Sequence, residues 1–266
     1  MPEIPDLVVH ERYVERTSLH QPIAGVEVRD AILLGDGTSP DGLDAALTGQ
    51  AFEATHRHGK HLFVQYANPG WLALHFGMTG TPCYYANGDH PDYSHVRIYL
   101  ENGHCLALVC PRKFARVRLI DDPAAFVDAK NLGPDVRRVD FETFCERFDG
   151  RRGTIKGALL DQSLLAGLGN IYADEVLYQV GVHPRTKAKH LDGDTLRAMY
   201  DAMHRIIDAA VAADADPTAM PPERFMLPHR YSDERCPETG VPLHTETVSG
   251  RTAYFSPVRQ PRPSDV

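Results

Sequence analysis

Apolar positions recur with two different periods along this chain, and the change of period divides it. Ile4, Leu7, Val8, Tyr13 and Val14 fall at near-helical spacing, so one amphipathic helix is expected over residues 3 to 18, with Pro5 tolerated in its first turn. From 23 to 120 the apolar runs are short and rich in β-branched and aromatic residues, as in Gly25–Val28, His61–Tyr66, Trp71–Phe76, Val96–Leu100 and Cys105–Val109. Asn-Gly turns and the Asn-Pro-Gly turn at Asn68 separate them, which is the pattern of an antiparallel β-sandwich. After Asp121-Asp122-Pro123 the period lengthens, and helices are expected over Asp140–Phe148, Thr154–Leu165, Ala173–Val180 and Thr195–Ala212. A connector with Pro217, Pro221, Pro222 and Pro228 leads to a hairpin whose arms, Thr245–Val248 and Thr252–Phe255, flank Ser249-Gly250-Arg251. The predicted fold class is therefore α+β: a catalytic sandwich over 1–125, a helical domain over 126–220 and a hairpin over 221–266.

Composition narrows the class without naming a reaction. At 266 residues and 42% hydrophobic the chain can bury more than one core, and it has no apolar run near the ~18 residues of a membrane span. The N-terminus lacks a basic stretch followed by an apolar one, so no secretion signal, a cytoplasmic location and no membrane partner are expected. The five cysteines, at 83, 105, 110, 145 and 236, show no paired spacing and are expected as free thiols. A net charge of −8 argues against indiscriminate coating of nucleic acid. The charge is uneven, however. Aspartates crowd 30 to 44, 121 to 140 and 192 to 216, while cations gather in four stretches: His56–His61, Arg112–Arg118, Arg151–Lys156 and Arg185–Lys189.

Two features carry chemistry. Removal of Met1, expected because the second residue is small, leaves Pro2 with a secondary amine beside the Glu3 carboxylate. Such an amine condensing with an aldehyde-like carbon gives an iminium, a cationic electron sink that no proton loss from nitrogen can quench. The second is Gly167-Leu168-Gly169-Asn170 just ahead of a helix, where free N–H groups suit a phosphate.

Together with five further motifs in the same order, these resemble the formamidopyrimidine-DNA glycosylase / endonuclease VIII family of helix-two-turn-helix repair enzymes. The motifs are Met1–Pro5, His58–Leu62, Leu74–Gly80, Pro111–Phe114, Leu132–Pro134, Leu160–Glu175 and the hairpin, spanning nearly the whole chain. The resemblance implies that Pro2 is the nucleophile at C1′ of a damaged nucleotide, with Glu3 as the acid assisting base departure and Asp6 as the second acidic group. Lys60 is similar to a phosphate-gripping lysine, Asn170 and Arg251 to a pair clamping the phosphates beside the extruded nucleotide, and Lys156 to a position near the lesion or its phosphate. Met78, Arg112 and Phe114 match residues that fill the gap left by a flipped base. The implied partner is damaged DNA, expected as duplex, held by a monomer in the cleft between domains. The implied reaction is base excision followed by β,δ-elimination, with no cofactor because the iminium is the electron sink.

Three departures qualify that likeness. Many members hold the hairpin with a Cys₄ zinc site, but the matching register here reads Cys236, Thr239, Ser256, Arg259, so no metal and a zincless finger are expected. Asp6 stands where the family has a second glutamate, which retracts its carboxylate by one methylene. The stretch from Ala215 to Arg235 looks too short for a long loop over 8-oxoguanine, which tilts the expected lesion toward ring-opened purines or oxidised pyrimidines. The rival reading is a damage-binding protein that kept the scaffold and lost turnover; a metal-dependent nuclease would need ligand spacings that the histidines lack.

Overall fold

The computed structural model describes residues 1–67, 69–232 and 234–263, so Asn68 of the expected Asn-Pro-Gly turn lies outside the described residues. These residues form two compact units: Met1–Pro2 with Asp6–Asn131, and Glu3–Pro5 with Leu132–Val266.

α1 (Ile4–Ser18) belongs to the first unit from Asp6, in its first turn, onward. Two four-stranded antiparallel sheets follow. One is ordered β1-β6-β7-β5, from β1 (Ile23–Val28), β5 (Thr81–Ala86), β6 (Ser94–Leu100) and β7 (His104–Val109). The other is ordered β2-β3-β4-β8, from β2 (Ala54–His58), β3 (His61–Ala67), β4 (Gly70–His75) and β8 (Arg116–Ile120). Val96, Ile98, Leu106 and Leu108 of the first pack with Leu62, Val64, Leu72, Leu74 and Val117 of the second in one core, the expected sandwich. Strands β2 and β8 carry two of the basic clusters. Alternation explains this, because Val117 faces the core while Arg116 and Arg118 face outward. Arg57 is the exception: it is buried and donates to the Gly59 carbonyl rather than lying in solvent.

The aspartate-rich stretches are largely helix caps. Asp122 caps α3 (Pro123–Ala129), and Asp140 and Asp192 cap α4 (Phe141–Phe148) and α7 (Gly193–Ala212) in the second unit. Asp30 and Asp216 cap short 3₁₀ turns in the same way. Asp44 lies in α2 (Pro40–Leu47), a helix the periodicity did not predict, and accepts from the Val26 N–H and the Thr48 hydroxyl. Much of the negative charge is thus backbone support, which leaves the net charge a poor guide to partners.

In the second unit the helix expected to run from Thr154 to Leu165 is α5 (Ile155–Leu160), stopped five residues early. Asp161 ends it by accepting from the Ser163 N–H and hydroxyl, an Asx turn that competes with the helix. Gln162 then pins the following loop, donating to the carbonyls of Leu160 and Leu168 and accepting from the Gly167 N–H. α6 (Asn170–Val180) packs on α7, and α8 (Leu227–Arg230) lies in the proline-rich connector with Met226 and Leu227 buried. The hairpin is β9 (His244–Val248) and β10 (Arg251–Phe255), closed by Ser249-Gly250 with φ of 50° and 72°, the signature of a two-residue primed turn.

The expected boundaries shift accordingly. α3 belongs to the first unit, so a cut at 125 would run through it, and 221–266 falls in the same unit as 132–220. The hairpin cannot stand apart because Arg185 holds Glu246 and the Thr247 carbonyl, while Ser249 meets the Thr154 hydroxyl. Among the described residues no helix is long and apolar enough to cross a membrane.

Candidate active site and nucleic-acid interface

Glu3 is only 2% exposed, and its carboxylate occupies the N-terminus of α6. One oxygen accepts from Gly169 N at 2.7 Å and Tyr172 N at 3.3 Å, the other from Ile171 N at 3.0 Å. Three converging donors and the positive end of the helix dipole hold an anion here. Gly169 is required by closeness: a Cβ there would lie 2.3 Å from the Glu3 carboxyl carbon. The Ile4 N–H donates to the Gly167 carbonyl, so the main chain just after Glu3 is fixed as well. This corrects one expectation, since the donors ahead of α6 hold a protein carboxylate rather than a phosphate. The Gly-x-Gly signal was real, but its ligand is another part of the chain. Pro2, half-buried, is the residue directly before this anchored carboxylate.

In the first unit Asp6 stands in the first turn of α1, and Lys60 sits with Gly59 in the two-residue turn joining β2 to β3. Lys60 is 8% exposed and its charge helps depress the neighbouring His75, after burial as the main cause. Arg112 and Phe114 share one loop of that unit, and Gly77, next to Met78, brings a second loop against it. Gly77 makes the approach possible: its φ is +62°, and a Cβ there would meet the Phe114 carbonyl carbon at 2.4 Å. Phe114 remains 49% exposed, and the Arg112 guanidinium lies 5.3 Å from its ring centre. An exposed phenylalanine beside an arginine keeps both side chains out of the core and at the surface. Lys113, between them, adopts φ +54° and pairs with Asp30 at 2.7 Å, which props the loop.

In the second unit Asn170 opens α6 and donates through Nδ2 to the Thr252 carbonyl at 3.0 Å, next to Arg251. Arg251 is exposed at the start of β10 and, in the structure, pairs through its backbone with Val248. Lys156 departs from expectation. It is fully buried, its Nζ 2.5 Å from Asp174 and 3.0 Å from the Thr252 carbonyl, so its charge is spent inside the protein. Asp174 also accepts from Arg230 at 2.8 Å and from Tyr254 N at 3.1 Å, and thereby ties α5, α6, α8 and β10 together. Burial pushes the Asp174 carboxyl up and the Lys156 ammonium down, and each is opposed by the other.

Glu175, the next residue, is also fully buried and accepts from Leu227 N at 2.9 Å, Met226 N at 3.3 Å and the Gln179 amide. Burial pushes its carboxyl up to about 7, against those hydrogen bonds. A raised acid favours the protonated fold, so its contribution to stability is intact below about 4.5 and is lost as pH rises toward 7. Glu175→Gln is therefore expected to flatten the pH dependence of unfolding between 4.5 and 7, read by chemical denaturation across that window. No motif in the sequence assigns a role to Asp174 or Glu175; two adjacent acids on a mostly apolar helix are the available signal.

At the register where the resemblance implies zinc ligands, Cys236 is buried. Burial alone would raise its thiol, but hydrogen bonds with Ser256, Thr239 and Tyr178 outweigh it and bring it down to about 7. Arg259 donates to the carbonyls of Tyr178 and Gln179 and pairs with Glu238. A guanidinium and two hydroxyls with one thiol do not fit a Zn²⁺ ion. Tyr178, Met226, Cys236 and Leu243, with Tyr254 packed on them, form a small apolar cluster there instead.

The fold and these motifs define a helix-two-turn-helix protein with an N-terminal sandwich. Residues 1–117 match the formamidopyrimidine-DNA glycosylase N-terminal domain and residues 132–221 the formamidopyrimidine-DNA glycosylase H2TH domain, and the chain belongs to this family. It is 32% identical to the formamidopyrimidine-DNA glycosylase of Geotalea uraniireducens and 31% identical to that of Syntrophotalea carbinolica, in each case over 96% of this chain and 98% of the relative. Among solved structures, the Lactococcus lactis formamidopyrimidine-DNA glycosylase non-covalently bound to abasic-site DNA superposes with a TM-score of 0.88 at 25% identity, covering 98% of this chain and 100% of that one.

Proposed function

We propose that this protein is a DNA glycosylase of base excision repair that also cleaves the resulting abasic strand, with the Pro2 nitrogen as nucleophile and Glu3 as its acid partner. The observation that carries the reading is the Glu3 carboxylate, buried on three N–H donors of α6 with Pro2 as its immediate neighbour. An acid held this firmly cannot wander, so it stays beside any carbon that Pro2 attacks. Damaged DNA is the substrate, in keeping with the DNA complexes of the structural neighbours.

In the proposed reaction the Pro2 nitrogen bonds to C1′, the glycosidic C–N bond breaks, and the base leaves with a proton delivered through Glu3. The nitrogen then gives up its proton, the C1′–O4′ bond breaks with O4′ taking a proton through Glu3, and the ring-opened sugar is an iminium. Its positive charge acidifies C2′–H; loss of that proton expels the 3′ phosphate, and a second elimination expels the 5′ phosphate. Hydrolysis returns the free amine. Asp6, Lys60, Asn170 and Arg251 serve as acidic group and phosphate contacts, Met78, Arg112 and Phe114 occupy the space left by the extruded base, and the finger works without metal. Lys156 supports the clamp from behind, through the Thr252 carbonyl that Asn170 also uses. Duplex oligonucleotides carrying ring-opened purines or oxidised pyrimidines are expected to yield a one-nucleotide gap with phosphate at both ends. Intact strands containing a free abasic site would show a simple hydrolytic glycosylase, and tight binding without any product would show a protein that only marks damage.

A further inference from the structure

The outward face of the β2-β3-β4-β8 sheet carries a feature that the excision chemistry does not use. A depression of 230 Å³ is lined there by His61, His75, Arg116, Arg118, Phe126 and Lys130. Strand register builds it: His61 lies opposite His75, His75 opposite Arg116, and Ala73 opposite Arg118, while α3 contributes Phe126 and Lys130.

The lining holds three permanent cations and no carboxylate. Arg116 donates through Nη1 to the main-chain carbonyls of Lys113 and Ala115, which hold one nitrogen of its guanidinium but supply no counter-charge. Arg118 pairs at 3.2 Å with Asp36, a fully exposed carboxylate that solvent screens. The Arg118 guanidinium and the Lys130 ammonium each stand 5.9 Å from the Phe126 ring centre. His61 reports the resulting field: burial first, then His75, His58, Lys130 and Arg118, bring it down to about 3. Its Nδ1 is buried without a hydrogen-bond partner. Like charges gathered around a concavity repel one another, and a bound anion is the simplest way to relieve them.

The chemistry of that anion follows from the lining. Guanidinium forks match the oxygens of a phosphate, and the Phe126 and His61 rings, 5.3 Å apart, offer an aromatic wall for a flat base. The volume lies below the ~300 Å³ at which sites for larger organic ligands begin, so one nucleotide is the limit. We propose that this depression is a nucleotide site, with phosphate on Arg116, Arg118 and Lys130 and the base edge against Phe126. The nucleotide is either free in solution or one unit of a DNA strand.

Equilibrium dialysis with AMP, inorganic phosphate and a lesion-free oligonucleotide tests this, with fluorescence of Trp71, the only tryptophan, as a second readout. Trp71 is two residues from Ala73 on the same face of β4, beside the site. Saturable AMP binding is expected, weaker for phosphate, and reduced tenfold or more by Arg118→Gln with Lys130→Gln. Phe126→Leu is expected to remove the preference for AMP over phosphate. Saturation by the oligonucleotide alone, abolished in the double variant, supports the strand as the source. No saturable binding of any probe, or affinity unchanged in the double variant, overturns the proposal. Lesion excision by the double variant should persist, so this proposal and the glycosylase reading fail on different measurements. If the double variant does not fold, Lys130→Gln alone serves, because that side chain is exposed.

Discussion

Glu3→Gln is expected to slow base excision by roughly 10²- to 10⁴-fold, the range typical of a lost general acid. The change keeps shape and size but replaces one carboxylate oxygen by an NH₂ group. Whichever oxygen is lost, an N–H of Gly169, Ile171 or Tyr172 then faces a donor instead of an acceptor. An unsatisfied buried group costs about 1–3 kcal/mol, so the variant is also expected to melt earlier. Gly169→Ala separates position from chemistry. It leaves the carboxylate intact but places a methyl 2.3 Å from its carbon, which must evict it from the helix end. A comparable loss of excision in single-turnover assays would show that the acid works only where α6 holds it. Excision within a few-fold of the parent in both variants would remove Glu3 from the mechanism.

Lys156→Met is expected to destabilise the second unit by about 3–5 kcal/mol, the cost of leaving one partner of a buried ion pair without its mate. The lower end is the better expectation, because Arg230 and Tyr254 N still satisfy the second oxygen of Asp174. At about 2–4 °C per kcal/mol for chains of this size, the melting temperature should fall by roughly 6–12 °C in the absence of DNA. The dependence of DNA affinity on salt should keep its slope, since no phosphate contact is lost. A lysine gripping phosphate gives the opposite pair of results: an unchanged melting temperature and a slope smaller by about 1. Thermal melts and binding isotherms at several salt concentrations distinguish the two.

Legibility in the sequence followed a physical rule. Elements that bury one apolar face, such as α1, β3, β4, β6, β7 and α7, announced themselves by period. Elements whose visible residues serve another purpose did not. β8 was masked by outward arginines, β2 by its two histidines and the buried Arg57, α2 by Asp44, which bonds the backbone of β1, and α5 ran too far because an Asx turn at Asp161 interrupts a still-apolar stretch. The same rule held at the site. Phe114 and Arg112 lie together on an exposed loop and Lys60 in the turn between β2 and β3, positions that depend only on nearby sequence. Lys156 and the α6 N-terminus were misjudged because their partners, Asp174 and Glu3, are 18 and 166 residues away in sequence. A charge reads as available for ligand until the chain that neutralises it is known.

Chemical capture tests the central claim most directly. Protein whose mass shows Met1 removed, mixed with a lesion-bearing duplex and sodium borohydride, is expected to form a covalent protein-DNA species that peptide mapping places on the Pro2 nitrogen, and Pro2→Gly is expected to lose the Pro2-linked species. Excision that proceeds with no captured species, or a cross-link carried by a lysine, would contradict the account.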